Sequence, residues 1–180
     1  HRAYLEAGAD IIRTNTVRAN PIVQGKFRLE NMAYDIALAG ARIACESIAE
    51  YNDDILQCKT GKLGQTLERK YVAGVMGPAE DSADVGFREL VDAYSEVVRG
   101  LLDGNADILL LDSFRNLLNV KAALHAVFKV CSERQELVPV MVSGEIAEAG
   151  AGTLAGLTAR ALQHTVSSFP VFSIGLSAGE

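Results

Sequence analysis

The sequence lacks an excess of basic residues. Its 17 lysines and arginines stand against 23 aspartates and glutamates, which gives a net charge of −6. A nucleic-acid partner or an anionic membrane surface needs a positive protein face, so neither is expected. No apolar run is long enough to span a bilayer, and no positively charged leader precedes an apolar stretch. We therefore expect a cytoplasmic protein.

Cysteine is also scarce. The three cysteines, Cys45, Cys58 and Cys131, lie far apart in the sequence and form no C-x-x-C pair. An odd number of dispersed cysteines argues against a disulfide framework and for a reducing compartment. The spacing also excludes a local zinc motif. We expect these thiols to be buried or incidental.

Two stretches with the same pattern are present instead. Residues 5–16 and 102–113 each contain a helix end, a glycine (Gly8 or Gly104), an aspartate, an apolar run and a polar tip. Glycine ends helices because it adopts a left-handed backbone without steric cost. An unbroken apolar run favours a parallel strand that is covered on both faces. The polar tips indicate where a site would lie, since parallel α/β folds place their chemistry there.

Apolar runs predict five strands, at residues 9–16, 71–76, 107–112, 138–143 and 171–176. Between them, apolar residues recur at helical spacing. These stripes are Met32, Ile36, Ala39 and Ile43; Leu90, Tyr94, Val97 and Leu101; Leu117, Val120, Leu124, Phe128 and Cys131; and Leu154, Leu157, Ala161 and Thr165. Residues 52–70 are polar and aperiodic, which predicts a surface insertion in a single domain of 180 residues.

The alternation of strand and helix predicts a parallel sheet with right-handed crossovers. No G-x-G-x-x-G follows a strand, which argues against a dinucleotide-binding sheet. Periodicity alone leaves two α/β architectures open, a doubly wound open sheet and part of a (β/α)8 barrel.

Polar residues follow the predicted strands and would converge on one rim. They are Arg13, Thr14, Asn15 and Thr16; Gly77 and Pro78; Asp112 and Ser113; Ser143, Gly144 and Glu145; and Ser177. Such a rim suits a small polar ligand. For this ligand we select Asn15, Asp112, Ser143, Gly144 and Ser177 as the binding residues.

Several of these rim residues also have a purely structural interpretation. Asn15, Thr16 and Ser143 could cap the helix that follows. Asp112 ends an apolar run, so its carboxylate needs a partner, either a ligand amine or Arg13 or Arg115. Glu145 could belong to the site or to a solvated rim.

The histidines offer little support for catalysis. His125 is expected near the surface of a helix, and His164 near a helix end, where it could lie over the last carbonyls. Neither has a serine or cysteine partner in the sequence, so a nucleophile–histidine pair is not supported.

The sequence resembles the homocysteine S-methyltransferase family, and in particular the homocysteine-binding module of cobalamin-dependent methionine synthases. The matching segments keep the family's order along the chain. They are residues 1–12, 14–16, 71–78, 118–123, 143–144, 153–156 and 175–176.

The resemblance implies a (β/α)8 barrel, of which this chain would cover about the second to sixth strands. It implies a homocysteine site at the carboxyl ends of the strands. It also implies a zinc ion, held by three cysteines, that lowers the pKa of the substrate thiol.

The sequence departs from the family pattern at several site positions. Arg13 and Asp112 stand where the family has glutamates, Asn116 where it has aspartate, and Glu145 where it has threonine. Ala178 stands where the family has its first zinc-binding cysteine. The other two cysteines of the family lie beyond the position of Glu180. We therefore expect no metal ligand and no cofactor in this chain.

Two functional interpretations follow. The first is a methyltransferase-family domain, inactive as this chain alone. The second is a non-catalytic barrel that binds a small amino-acid-like ligand or acts as an interaction module. Both ends of the sequence are expected to be cut from a longer barrel, so the strands 9–16 and 171–176 would be open edges that promote self-association.

Overall fold

A computed structural model describes residues 1–57, 68–79, 85–146 and 158–178. Helices and strands alternate along the chain. They are α1 (Arg2–Glu6), β1 (Ile11–Arg13), α2 (Pro21–Gly25), a 3-10 turn (Glu30–Met32), α3 (Ala33–Leu56), β2 (Tyr71–Met76), α4 (Phe87–Asp103), β3 (Ile108–Phe114), α5 (Leu117–Arg134), β4 (Val140–Ile146), α6 (Ala159–Val166) and β5 (Ser173–Ala178). No helix in these ranges is long and apolar enough to cross a membrane.

The strands form one parallel sheet in the order β1-β2-β3-β4-β5. A doubly wound sheet reverses its strand order at a switch point, and this sheet does not. The monotonic order is that of a (β/α)8 barrel, in which every crossover continues in the same direction. All carboxyl ends of the strands lie at the same edge of the sheet, here called the carboxyl edge.

The repeated glycines end their helices in different ways. Gly8 has φ = +99°, as the left-handed stop predicts, and no atom crowds its missing side chain. Gly104 has φ = −86°, and the left-handed residue is its neighbour Asn105, with φ = 64°. The left-handed stop is therefore wrong for Gly104. A Cβ there would lie 2.5 Å from the Ala41 side chain, so close packing explains this glycine.

The apolar stripe predicted for α3 is wrong except at Ile36, which packs against the core. Met32 and Ile43 are 44% and 54% exposed. The buried face is instead made of small residues, namely Ala33, Ala37, Ala41 and Ala44. Ala37 and Ala41 pack against α4, where Gly100 and Gly104 let the two backbones approach closely. Ala37, Ala41, Gly100 and Gly104 are called the alanine–glycine seam below.

The stripe predicted for α4 is confirmed, because Leu90, Tyr94, Val97 and Leu101 are all buried. Within the stripe predicted for α5, Val120, Leu124 and Cys131 are buried, and Leu117 and Phe128 pack against the core. The stripe predicted for the last helix begins at Leu154, whereas α6 begins at Ala159. Leu154 and Leu157 lie outside the described residues.

Strand β2 has the predicted bounds, whereas the later strands begin one or two residues after the predicted starts and continue past the predicted ends. The last three strands were expected to end at Asp112, Ser143 and Leu176, yet each continues for two or three residues. Strand ladders depend on backbone hydrogen bonds, so a polar side chain does not end a strand. Conversely, β1 is only Ile11–Arg13, although the amide of Thr14 still donates to the Ala73 carbonyl.

The predicted insertion at 52–70 begins too early. Helix α3 continues to Leu56, because Tyr51 is buried and Ile55, one turn later, packs against the core. Residues 58–67 lie outside the described residues.

Candidate functional site

The described helices cover only one of the two faces of the sheet. Ile12, Val72 and Leu109 lie on the outer face, which the helices bury. Parallel register places the alternate residues on the opposite face, here called the inner face. Towards the carboxyl edge the inner face becomes polar, with Arg13, Asp112, Ser143, Glu145 and Ser177. Three of the five predicted binding residues, Asp112, Ser143 and Ser177, therefore share this face.

Two ion pairs dominate the carboxyl edge. Arg13 is bound to Asp112, and the Arg115 Nη2 lies 2.6 Å from the Glu145 Oε1. Both carboxylates have side chains that are only 14% exposed, whereas the arginine side chains are 55% and 68% exposed. A carboxylate so withdrawn from water needs a cation. Of the alternatives for Asp112, the internal ion pair with Arg13 is the one present.

Thr14 and Thr16 have structural roles. The Thr14 hydroxyl accepts a 2.8 Å hydrogen bond from the Val75 amide and lies 2.6 Å from the Thr16 hydroxyl, which donates to the Val75 carbonyl at 2.6 Å. Both threonines are buried. Together they attach the end of β1 to β2. Helix capping is therefore wrong for Thr16.

Capping is also wrong for Asn15 and Ser143. The N-cap of α2 is Asn20, whose side chain accepts from the Ile22 amide at 2.9 Å. Asn15 is exposed between β1 and this helix, and Ser143 lies within β4. Gly144 pairs with Phe114 and Leu176 and so follows the outer-face register.

Ser177 lies beside Glu145 in the register of β4 and β5. Its hydroxyl is buried and has no hydrogen-bond partner within the described part of the chain. A buried hydroxyl without a partner is costly, which makes it a candidate for contact with a ligand.

A cleft of about 610 Å³ opens at the carboxyl edge. Its lining combines apolar groups with charges of both signs: Val17, Arg18, Ile22, Val23, Lys26, Pro78, Ser113, Arg115, Asn116 and Glu145. Pro78, Ser113 and Glu145 were predicted at the rim. Arg18 and Lys26 were missed, since only their position after β1 connects them with this edge.

A β-bulge shapes the middle of the cleft. Leu111 pairs with Val142, and Phe114 pairs with Gly144, so β3 contains one more residue than β4 between these pairs. Ser113, within the bulge, has φ = +58°. This left-handed conformation is uncommon for a residue other than glycine, asparagine or aspartate. The bulge places Asp112 and Ser113 together at the carboxyl edge.

A buried tyrosine holds the segment after β2. The Tyr94 hydroxyl accepts from the Ala79 amide at 2.7 Å and donates to the Asn119 Oδ1 at 2.9 Å. Tyr94 is fully buried, and this burial raises the pKa of its phenol. The network connects α4, α5 and the residue next to Pro78, so it fixes one wall of the cleft.

His125, His164, Cys45 and Cys131 lie away from the cleft. His125 is exposed and makes edge contacts with Phe87 and Phe169, and His164 lies in the last turn of α6, as expected. The Cys45 thiol donates to the Gly104 and Asn105 carbonyls, at the amino end of β3. Burial raises the pKa of Cys45 and of Cys131.

The residues present do not fit the zinc ion that the family resemblance implies. Cys45 and Cys131 lie at the amino ends of the strands, opposite the cleft, and Cys58 lies outside the described residues. Within the described ranges, no three His, Cys, Asp or Glu side chains form a group that could hold a metal ion.

Comparisons with known proteins place this geometry in a family context. The sequence model of the homocysteine S-methyltransferase family matches residues 1–178. The crystal structure of the oxidized homocysteine methyltransferase MmuM from Escherichia coli superposes with a TM-score of 0.74 and 19% identity, over 98% of this chain and 59% of that one. Its metallated form gives a TM-score of 0.71 and 18% identity, over 98% and 60%.

The chain thus spans about 59% of the length of the oxidized structure. At these identities the likeness establishes the fold, and the predicted partial (β/α)8 barrel is confirmed.

Proposed function

Because the chain belongs to the homocysteine S-methyltransferase family, we propose that its carboxyl-edge cleft binds homocysteine or a similar small amino acid. The observation that carries this proposal is the lining of the cleft, which offers cations and a carboxylate around an apolar wall. A zwitterionic amino acid with a short apolar chain has the complementary groups. The cleft lies at the carboxyl ends of parallel strands, where barrel proteins bind their ligands.

Asp112 and Ser177 are not among the residues that line the cleft, but each adjoins one that does, Ser113 and Glu145 respectively. We assign the charged contacts to these neighbouring residues of the inner face. Asp112 is the group for the ligand ammonium, since its carboxylate is withdrawn from water and already pairs with a cation, Arg13. Ligand binding would then rearrange this pair. Ser143 and the unpartnered hydroxyl of Ser177 would line the same side of the ligand.

Isothermal titration calorimetry with L-homocysteine under reducing conditions tests the binding. Asp112→Asn should weaken binding about tenfold, the scale of a hydrogen bond to a charged group. Asp92→Asn is the matched control, because Asp92 makes an exposed ion pair with Lys129 on the helices. Absence of binding by the unmodified chain, or equal loss in both variants, would contradict the proposal.

We also propose that the 180-residue chain transfers no methyl group and holds no stoichiometric zinc. Ala178 offers no donor atom at the position where the family resemblance places a cysteine, and the described residues contain no alternative ligand group. Without a metal the substrate thiol keeps a pKa of about 8.5 and stays mostly protonated near neutral pH.

Metal analysis after mild chelation and an assay of methionine formation test this second part. Methyltetrahydrofolate, methylcobalamin and S-methylmethionine are the donors to compare. We expect no zinc and no methionine above a control without protein, and Ala178→Cys alone should not restore activity. One tightly bound zinc per chain, or methionine formation with any donor, would refute it.

The strand edges favour a second candidate function, self-association. In the described sheet β1 and β5 each pair with a single neighbour, and Ile11, Ile174 and Leu176 are 42%, 44% and 51% exposed. Open apolar edges are templates for pairing between chains. Sedimentation velocity should show association that rises with concentration and falls in Ile174→Lys, but not in the exposed control Leu137→Lys. A concentration-independent monomer would refute it.

A further inference from the structure

We propose that the Ser113 hydroxyl is a ligand-binding group of the cleft and that it binds the carboxylate of the amino acid. The inference rests on the proposed function, because it concerns the same cleft. It adds a residue and a contact that the family resemblance does not assign. Three features of Ser113 carry it: the bulge that presents the side chain, the backbone strain that the bulge requires, and the absence of a partner among the described residues.

In the described sheet, the register shifts only between β3 and β4. From the Leu111–Val142 pair to the Phe114–Gly144 pair, β3 advances by three residues and β4 by two. A regular strand would place only Asp112 on the inner face between these two outer-face residues. The extra residue brings Ser113 to the cleft as well. Bulges of this kind re-aim side chains and are frequent beside binding sites.

The strain at Ser113 has no local explanation. Arg28, Asn105 and Gln135 are also left-handed, but they follow the ends of α2, α4 and α5, where a left-handed residue ends a helix. Ser113 lies within β3, with φ = +58°. Glycine would adopt this conformation without steric cost, so serine is the less stable choice for the fold.

The Ser113 side chain is half-buried and has no hydrogen-bond partner in the described ranges. It therefore does not stabilise the bulge. It lines the cleft next to Arg115, whose planar guanidinium has several donors and pairs through Nη2 with Glu145. A hydroxyl donor beside a guanidinium is suited to a carboxylate, which accepts from both.

The test separates strain from binding with two variants of Ser113 and one control. Ser113→Gly removes both the hydroxyl and the strain, whereas Ser113→Ala removes the hydroxyl and keeps the strain. Gln135→Gly relieves comparable strain at the end of α5, away from the cleft. Each variant of the full chain is titrated with L-homocysteine and with 3-aminopropane-1-thiol, which lacks the carboxylate. Thermal unfolding is recorded in parallel.

We expect both Ser113 variants to bind homocysteine about tenfold more weakly than the unmodified chain, the scale of one hydrogen bond to a charged group. Their binding of 3-aminopropane-1-thiol should not change. Ser113→Gly and Gln135→Gly should both unfold at higher temperature than the unmodified chain, and Gln135→Gly should bind both ligands normally.

Several results would overturn the inference. If the unmodified chain binds homocysteine and both Ser113 variants bind it equally well, Ser113 is not a binding residue while the proposed function stands. If the variants lose affinity for both ligands alike, the contact is not to the carboxylate. A lower unfolding temperature for Ser113→Gly would show that serine is needed for the fold. Failure of the unmodified chain to bind homocysteine would overturn the proposed function and this inference with it.

Discussion

The alanine–glycine seam and the carboxyl edge are both tightly built, but from opposite kinds of residues. In the seam, missing side chains bring two helix backbones together, and a Cβ at Gly100 would lie 2.5 Å from the Tyr34 carbonyl oxygen. At the carboxyl edge, long charged side chains converge and neutralise one another, as Arg13 and Asp112 do. The seam has no space for an additional side-chain atom. The carboxyl edge, in contrast, has charged groups that can exchange an internal partner for a ligand.

The largest expected effect comes from filling the seam. Gly100→Ala should destabilise the protein by about 3 kcal/mol, because the new methyl meets backbone that cannot move aside. The matched control is Gly25→Ala in α2, where the nearest atom is the Glu30 Cβ at 4.0 Å. The control should be neutral or more stable by up to about 1 kcal/mol. Urea unfolding measures both, and equal effects of the two substitutions would show that the seam is not close-packed.

The next effect concerns the wall of the cleft. Tyr94→Phe leaves the Ala79 amide and the Asn119 Oδ1 without their partner, which should cost about 2 kcal/mol. Tyr4→Phe is the control, since Tyr4 is 71% exposed and should lose almost nothing. An unchanged stability of Tyr94→Phe would mean that these buried groups find other partners.

A smaller effect is expected at the carboxyl edge itself. Arg13→Ala leaves the withdrawn Asp112 carboxylate without its cation and should cost about 1 to 2 kcal/mol. A double-mutant cycle with Asp112→Asn isolates the interaction between the two side chains. If Arg13→Ala costs the same in the Asp112→Asn background as in the unmodified chain, the ion pair contributes nothing to stability.

The smallest effect depends on pH and concerns a polar contact that joins α3, α4 and α5. Hydrogen bonds from Arg134 and Tyr34 lower the pKa of Asp103 below its ordinary value of 3.8. A lowered pKa in the folded state stabilises the protein above the unfolded value, and this stabilisation disappears as the pH falls through the folded value. The contribution should stay below about 1 kcal/mol, because both side chains of the Asp103–Arg134 pair remain partly accessible to screening by solvent.

Unfolding followed between pH 6 and pH 2 checks this expectation. Asp103→Asn should flatten the acid limb of the stability curve below about pH 4. The control is Asp92→Asn, which removes an acid whose ion pair with Lys129 is exposed. A curve for Asp103→Asn that coincides with that of the unmodified chain would exclude the contribution.

The strands were predictable because buried parallel strands are continuous apolar runs. Tyr71–Met76 has the bounds that its sequence indicates, and the carboxylate of Asp112 needed the cation that it has. The buried face of α3 was not predictable in the same way. Alanine packs there only because Gly100 and Gly104 lie opposite, and no pattern within α3 contains that information.

The site was predictable only in part, for a similar reason. Parallel strands bring their ends together, which is why Asp112, Ser143 and Ser177 share the inner face. The bulge at Ser113 depends on the register between β3 and β4, and a register is a property of two strands. Arg18 and Lys26 reach the cleft through the path of the chain after β1, which local sequence does not specify.

The alanine–glycine seam also has a consequence for the order in which parts of the molecule open. Alanine and glycine have no side-chain rotamers, so forming the seam costs none of the side-chain entropy that larger residues lose on burial. The same residues cannot loosen by changing rotamer while the helices stay in place. The amides of α3 and α4 beside the seam should therefore exchange with deuterium only when the two helices separate, and more slowly than those of α6.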